Sequence, residues 1–243
     1  MLNVTYNCNK ERNDFLKKTN IEKLKEILYL FLMMDVEETE FSPLVVLHPI
    51  FESGVACNGE GNMVNILEAE GLEEIRNQTK KRIDKCKSAS QCMLIMRKSY
   101  YLTFLKFTKE YMSSEDFSKL LRDAWIASEA PNQDVNVSQK TVLRWFKEAT
   151  KELLMRNEDF SVYSKLPEQL TIYRGIGSKS RKNGISWTLD KDKAIWFAKR
   201  FSSNGYVLQG IAEKKDVLAF FNDRNEKEII ISPQKIKEKI KLP

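Results

Sequence analysis

Three short stretches near the C-terminal end hold residue types suited to chemistry: Tyr173-Arg174-Gly175, Gly184-Ile185-Ser186-Trp187-Thr188 and Glu226-Lys227-Glu228. Arg174 ends an alternating segment, Leu170-Thr171-Ile172-Tyr173, and precedes a glycine. A guanidinium there can grip a pyrophosphate by two parallel hydrogen bonds, and a glycine beside it lets a ligand approach the backbone. Taken alone, the tripeptide reads first as a surface arginine at a strand end. Ser186 and Thr188 stand two residues apart, so on a strand their hydroxyls share one side and Trp187 faces the other. Glu226 and Glu228 have the same spacing, which on a strand sets two carboxylates side by side. Such a pair repels itself unless a cation or a substrate offsets the charge. Ile229, Ile230 and Ile231 follow at once, so Glu228 is expected at the edge of a buried strand, where a carboxylate needs a compensating partner.

Other chemistries are poorly served. The chain has one histidine, His48, in an apolar stretch before Pro49, and it reads as structural. Cys8, Cys57, Cys86 and Cys92 lack metal-type spacing, so a Cys/His zinc site is not expected. They read as reduced thiols of a cytoplasmic protein. Neither a GxGxxG run nor a P-loop is present, which disfavours a Rossmann oxidoreductase and a P-loop NTPase. The polar N-terminal segment does not read as a signal peptide. The longest apolar run, Ile27 to Met34, is far short of the ~20 residues that cross a bilayer, so no membrane partner is expected.

The elements that must position these residues fall into two regions: 1–165, mostly helical, and 166–243, a small α+β domain. In the first, Thr19 and Glu22 have capping-box spacing before Leu24, Ile27, Leu28 and Phe31. Residues 41–57 are expected to be extended or irregular. Helices are expected at 63–87, with Gly71 as a break or kink, and at 91–112, 115–128 and 139–156. The polar loop from Glu129 to Asn136 is a candidate acceptor-recognition loop through Asn132 and Asp134. The connection to the second region is expected over 156–168. Beyond Pro167 the pattern turns to strands: Leu170–Tyr173, a basic loop to Gly184, Ile185–Leu189, a helix capped by Asp190 or Asp192, Tyr206–Ala212, 216–221 and Glu226–Ile231. The lysine-rich tail is expected to frame a short helix. The chain carries +6 overall, but from Glu168 onward it holds 16 Lys/Arg against 9 Asp/Glu. The basic character therefore belongs to the C-terminal third, which suits phosphate-bearing partners.

The order aromatic-Arg-Gly, then Ser-x-Thr before an aromatic-rich helix, then Glu-x-Glu on a closing strand, resembles the R-S-E class of NAD-dependent mono-ADP-ribosyltransferases. The resemblance covers Leu170 to Ile231. The run from Gly184 to Asp190, with Ala194, Phe197 and Ala198, is similar to phage- and prophage-borne members, some of them toxins of phage-defence or toxin–antitoxin systems and some of them RNA-modifying. It implies a helical N-terminal region packed on a small mixed-β ADP-ribosyltransferase-like catalytic domain, with NAD as co-substrate, no metal, and an antitoxin as a partner. By the same resemblance, Arg174 anchors the NAD diphosphate and Ser186 orients the catalytic glutamate. Glu228 stabilises the ribosyl cation, and Glu226 positions or deprotonates the acceptor. Tyr173, Gly175, Trp187 and Thr188 complete the cofactor-binding set. Trp187 and Thr188 depart from the family's Ser-Thr-Ser pattern.

Two carboxylates and one arginine are sufficient for this transfer. A carboxylate in a dry cleft stabilises positive charge on the ribose, nicotinamide leaves as a neutral ring, and a second carboxylate takes the acceptor's proton. The basic domain tilts the acceptor toward RNA over protein. The competing readings are an NAD glycohydrolase, in which water is the acceptor, and an inactive nucleic-acid-binding or interaction protein that has kept the fold.

Overall fold

The computed structural model describes residues 18–128, 134, 136–178, 180, 182–200 and 204–242. The chain divides into two compact units, Met1–Asp134 and Val135–Pro243. Among the described residues no helix is long and apolar enough to cross a membrane.

The first unit contains α1 (Ile21–Leu32), β1 (Glu37–Thr39), β2 (Ser42–Leu47), β3 (Val55–Cys57), β4 (Met63–Asn65), α2 (Ala69–Asp84), α3 (Ala89–Met93), α4 (Tyr101–Thr108) and α5 (Ser114–Ala127). Helix α1 buries Leu24, Leu28, Phe31 and Leu32 along one stripe, as its period requires. Its cap is Asn20, whose side chain accepts from Lys23 N, and not Thr19. Thr19 instead caps across the chain: its hydroxyl donates to Asp116 and accepts from Ser113 N at 2.9 Å, at the start of α5.

The expected helix over 63–87 is shorter at its start, because 63–65 pairs with 55–57 as an antiparallel hairpin. Gly71 does not break α2, which runs on through it. A Cβ there would lie 2.1 Å from the Asn65 carbonyl oxygen, so the glycine lets the helix approach β4. The expected helix over 91–112 is broken into α3, α4 and short 3-10 turns. This region is mostly helical with two hairpins, β1–β2 and β3–β4, and the stretch 41–57 expected to be extended or irregular supplies β2 and β3.

The second unit begins with α6 (Gln139–Glu148), α7 (Lys151–Leu154) and α8 (Asn157–Ser164). Ser138 caps α6, as its Oγ accepts from Thr141 N at 3.1 Å. The expected single helix over 139–156 is interrupted at Ala149, whose backbone is extended, and α8 occupies what was expected to be a connection. The boundary expected at 165/166 therefore moves to 134/135. The reason is packing, because α6–α8 cover strand β8 (Val217–Phe221). Phe146 meets Phe221 at 6.3 Å between ring centroids. Phe220 N donates to Met155 Sδ at 3.3 Å, Asn222 N to Asp159 Oδ1 at 3.2 Å, and Lys151 Nζ to the Val217 carbonyl at 2.7 Å.

The remaining elements are β5 (Gln169–Ile176), β6 (Ser186–Thr188), α9 (Lys191–Lys199), β7 (Tyr206–Glu213), β9 (Glu228–Ile231) and β10 (Lys237–Lys241). They form one six-stranded sheet with β8, in the order β10-β7-β5-β6-β9-β8. Every strand pair is antiparallel, so the sheet is not mixed. The chain reverses at β5–β6 and at β8–β9, and α9 links β6 to β7, which are not neighbours. The C-terminal tail is a strand and not a helix. Its alternating lysines suit an exposed edge, where charge discourages pairing with another chain. The α+β class stands.

His48 fits its structural assignment. It is fully buried, stacks on Phe51 at 4.4 Å, and its Nδ1 accepts from Ile50 N and Phe51 N, each at 3.1 Å. Burial, and next the Arg76 charge, lower its pKa to about 4. The unfolded chain binds this proton below its ordinary pKa near 6.5, whereas the folded chain resists it until about 4. Stability therefore falls as pH drops through that window, by about 3 kcal/mol in all. His48→Asn keeps an acceptor for both N–H groups and does not titrate. Denaturant unfolding from pH 7 to 4 should show a flatter pH dependence for His48→Asn than for wild type. Identical slopes would remove His48 as the source.

Candidate active site

Arg174, Ser186 and Glu228 lie on β5, β6 and β9, three strands that are neighbours in the sheet. Register sets a transverse row of Phe221, Glu228, Thr188, Tyr173 and Gln209 across β8, β9, β6, β5 and β7. Side chains in such a row share a face, and Ser186, two residues before Thr188, shares it too. Arg174 is one residue out of phase and starts from the other face.

The β5–β6 ladder explains how Arg174 nevertheless reaches this group. It is a single pair, Tyr173 with Thr188. The Ile185 carbonyl accepts from Ile231 N on the β9 side at 3.0 Å. Carbonyls alternate along a strand, so the next one, that of Ser186, faces β5. No ladder partner meets it there, and Arg174 Nη1 donates to it instead. The guanidinium rests on Gly184, where a Cβ would lie 2.1 Å from Nη2 and 2.3 Å from Cζ. Burial lowers the Arg174 pKa to about 10, and the Glu228 charge opposes that shift. Arg174 thus remains a cation at neutral pH. Glu228 is itself buried, between Thr188 and Phe221 in register.

The two glutamates do not share a strand face as their spacing implied. Strand β9 begins at Glu228, and the residues before it form a turn in which Asn225 (φ 52°) and Lys227 (φ 45°) are left-handed. Those torsions break the period-2 alternation on which the spacing argument rests. Glu226 is ion-paired with Arg224 at 3.2 Å. The turn is pinned at several points. Thr188 Oγ1 donates to the Glu226 carbonyl at 2.6 Å and accepts from Asp190 N at 2.9 Å. Lys227 Nζ meets Asp190 Oδ2 at 3.3 Å, and Lys227 N donates to Asn222 Oδ1 at 3.1 Å.

The four residues expected to line the cofactor pocket hold packing contacts. Thr188 ties β6 to the turn through both hydrogen bonds of its hydroxyl. Trp187 is buried and donates from Nε1 to the Gly184 carbonyl at 3.2 Å, closing the loop that seats Arg174. Tyr173 packs with Ala194, Ala198 and Val207. Gly175 permits a close approach, but by α9 rather than by a ligand: a Cβ there would lie 2.2 Å from the Ala194 carbonyl oxygen.

Of the expected acceptor loop, Asn132 lies outside the described residues. Asp134 accepts from Thr103 Oγ1 at 3.1 and 3.2 Å to its two oxygens. The pairing of the Glu-x-Glu carboxylates with Arg224 or Lys227, one of the alternatives the sequence offers, is met by Arg224 and Glu226. One contributor escaped the sequence reading: Gly184, which opens the second motif, is the seat of Arg174. Among the described residues no three His, Cys, Asp or Glu side chains gather as a metal site. No family model, curated protein or solved structure matches the chain.

The seat of Arg174 is testable. Gly184→Ala drives the guanidinium off the Ser186 carbonyl and should cost ~1.5–3 kcal/mol of unfolding free energy, the worth of a charged hydrogen bond. In an Arg174→Ala background the same change should cost far less. Additive costs in a double-mutant cycle would show that the two residues do not meet.

Proposed function

We propose that this chain is an NAD-dependent mono-ADP-ribosyltransferase of the toxin-like kind, transferring ADP-ribose to a macromolecular acceptor, RNA ahead of protein. The observation that carries the reading is the adjacency of β5, β6 and β9. It brings one guanidinium and one buried carboxylate into mutual influence beside the Ser186 hydroxyl strand. A buried carboxylate beside a buried cation costs desolvation, and such arrangements cluster at functional sites.

In this reading Arg174 binds the diphosphate, exchanging its contact with the Ser186 carbonyl for phosphate oxygens. Ser186 orients Glu228. Glu228 stabilises the positive charge that develops at the ribosyl C1′ as its bond to the nicotinamide nitrogen breaks and the electron pair goes to the ring. The acceptor's nucleophilic atom bonds to C1′ and gives its proton to Glu226, which Arg224 releases when the acceptor arrives. The turn around Glu226 holds both carboxylates at one end of β9. NAD supplies the ADP-ribosyl group and the leaving group, and no metal takes part.

Glu228→Gln keeps shape and removes charge. Transfer from labelled NAD should fall by roughly 100-fold or more while the chain stays folded and binds NAD, with a lowered melting temperature because the Arg174 charge loses its counter-charge. Near-wild-type transfer would remove Glu228 from the catalytic role. Incubating the protein with labelled NAD and cell lysate, split into RNase-treated and protease-treated halves, identifies the acceptor. Loss of label in the RNase half is the expected result, and loss in the protease half points to protein. Nicotinamide release with no labelled macromolecule would indicate a glycohydrolase, and no NAD turnover at all a binding protein.

A further inference from the structure

Helix α1 carries a second apolar stripe besides the one it buries. Leu30 is 73% exposed, Met34, which follows the C-cap Met33, is 48% exposed, and Ile27 is half-buried. These three are spaced by three and four residues, so they line one side of the helix, and Lys23 extends the line by a further turn. Ile27 and Phe31 are neighbours by the same spacing, and Phe31 meets Phe107 of α4 edge-on at 5.6 Å and 81°. Phe107 is itself about half exposed, so the apolar surface runs from α1 onto α4. The other flank of α1 is occupied by α2: Tyr29 donates to Asp84, and Arg76 Nε donates to the Leu32 carbonyl at 3.1 Å. Large apolar side chains gathered on one open side mark an interaction surface, where the same residues scattered singly would not.

The charges at the two ends of the stripe identify what covers it. Lys23 is a cation in the first turn of the helix, and Asp35 is an exposed carboxylate just past the last. Each has the sign that the helix dipole disfavours at its position. Lys23 meets Glu26 at 2.6 Å, but both side chains are about half exposed, and such a pair contributes little. No Lys or Arg stands between Lys25 and Arg76, and Glu37, Glu38 and Glu40 follow Asp35. The stripe is therefore cationic at its start, apolar in its middle and acidic at its end. Such a surface is complementary to itself when turned end for end, which is the relation a two-fold axis imposes.

We infer that α1 pairs antiparallel with α1 of a second copy of this chain, across a two-fold axis that passes between Ile27 and Leu30. Leu30 of each copy then meets Ile27 of the other, the Phe107 rings border the seam, and Lys23 of each copy lies beside Asp35 of the other. A parallel pair would set Lys23 on Lys23 and Asp35 on Asp35. A polyanion or an anionic membrane would be repelled by the acidic end. A single helix pair is a small interface, so the dimer is a weak one that forms at micromolar concentration. The inference goes beyond the transferase reading and does not rest on it.

The test is sedimentation velocity on the full chain over a concentration series at low salt. Wild type should pass from monomer to dimer as concentration rises. Leu30→Lys should weaken dimerisation roughly 30-fold or more, as the loss of a central anchor does. Lys23→Glu and Asp35→Lys should each weaken it roughly tenfold, because each sets like charges together twice in the dimer. The melting temperature of the dilute monomer should stay close to wild type in both, since each swap gives its helix end the sign the dipole favours. An equal mixture of these two single variants should regain wild-type affinity as a mixed dimer, and the chain carrying both swaps should regain it as a homodimer. Wild type that stays monomeric at about 1 mM, unchanged association in Leu30→Lys, or a mixture that recovers nothing would each overturn the proposal. NAD turnover plays no part in the readout, so failure here is separate from failure of the transferase reading.

Discussion

The second unit depends on a side chain doing the work of a strand. Past Tyr173 and Thr188 the ladder between β5 and β6 stops, and the Arg174 guanidinium supplies the donor that the backbone does not. Burying a guanidinium is costly, and two things offset that cost: the carbonyl it meets and the Glu228 charge that favours its ionised form. Stability alone does not account for such an arrangement, because an apolar pair of similar volume commonly serves a core as well or better. Removing one partner would leave the other charge buried and uncompensated. The site and the sheet therefore share one constraint, and a ligand that takes Arg174 must also leave the Ser186 carbonyl to find another donor.

A second constraint fixes where the rest of the site can go. Helix α9 lies so close to β5 and to the start of β7 that Gly175 and Gly205 have no room for a Cβ. The Asp190 cap at its first turn accepts from Asp192 N and Lys193 N while also meeting Lys227. Thr188 joins the same group from the end of β6. Helix start, strand end and the turn before β9 are thus one hydrogen-bonded assembly. This explains how two non-glycine residues, Asn225 and Lys227, are held in the left-handed region next to a glutamate, at a conformational cost of order 1 kcal/mol or more each.

Much of this was legible from residue order. The alternation of Leu170 to Tyr173, the Asp190 cap and the apolar closing strand each follow from local chemistry, and together they bring the three motifs to one sheet. What was not legible depended on partners distant in sequence. Gly175 shows why: a ligand and a helix backbone both demand the absence of a Cβ, and the sequence cannot say which one arrives. Glu226 and Glu228 appeared to share a face because strand period was extended two residues too far, into a turn. Phe146 meets Phe221, which lies far along the chain, so the domain boundary was set too late. The tail carried period-2 lysines, a strand signal overshadowed by the expectation that a lysine-rich segment is helical.

Net charge was the least informative of the sequence properties, and the structure explains why. At physiological ionic strength the field of an exposed charge fades over ~8 Å, so a lysine beside a carboxylate contributes little beyond its pair. Four lysines of this unit are in that position. The charge a polyanion would meet is what remains outside the pairs. Among the described residues Lys165, Lys182, Lys191, Lys193 and Lys199 are in no ion pair, and they are spread over the end of α8, the loop before β6 and the length of α9. Positive charge spread in this way favours any polyanion without selecting one, so net charge by itself names no class of partner.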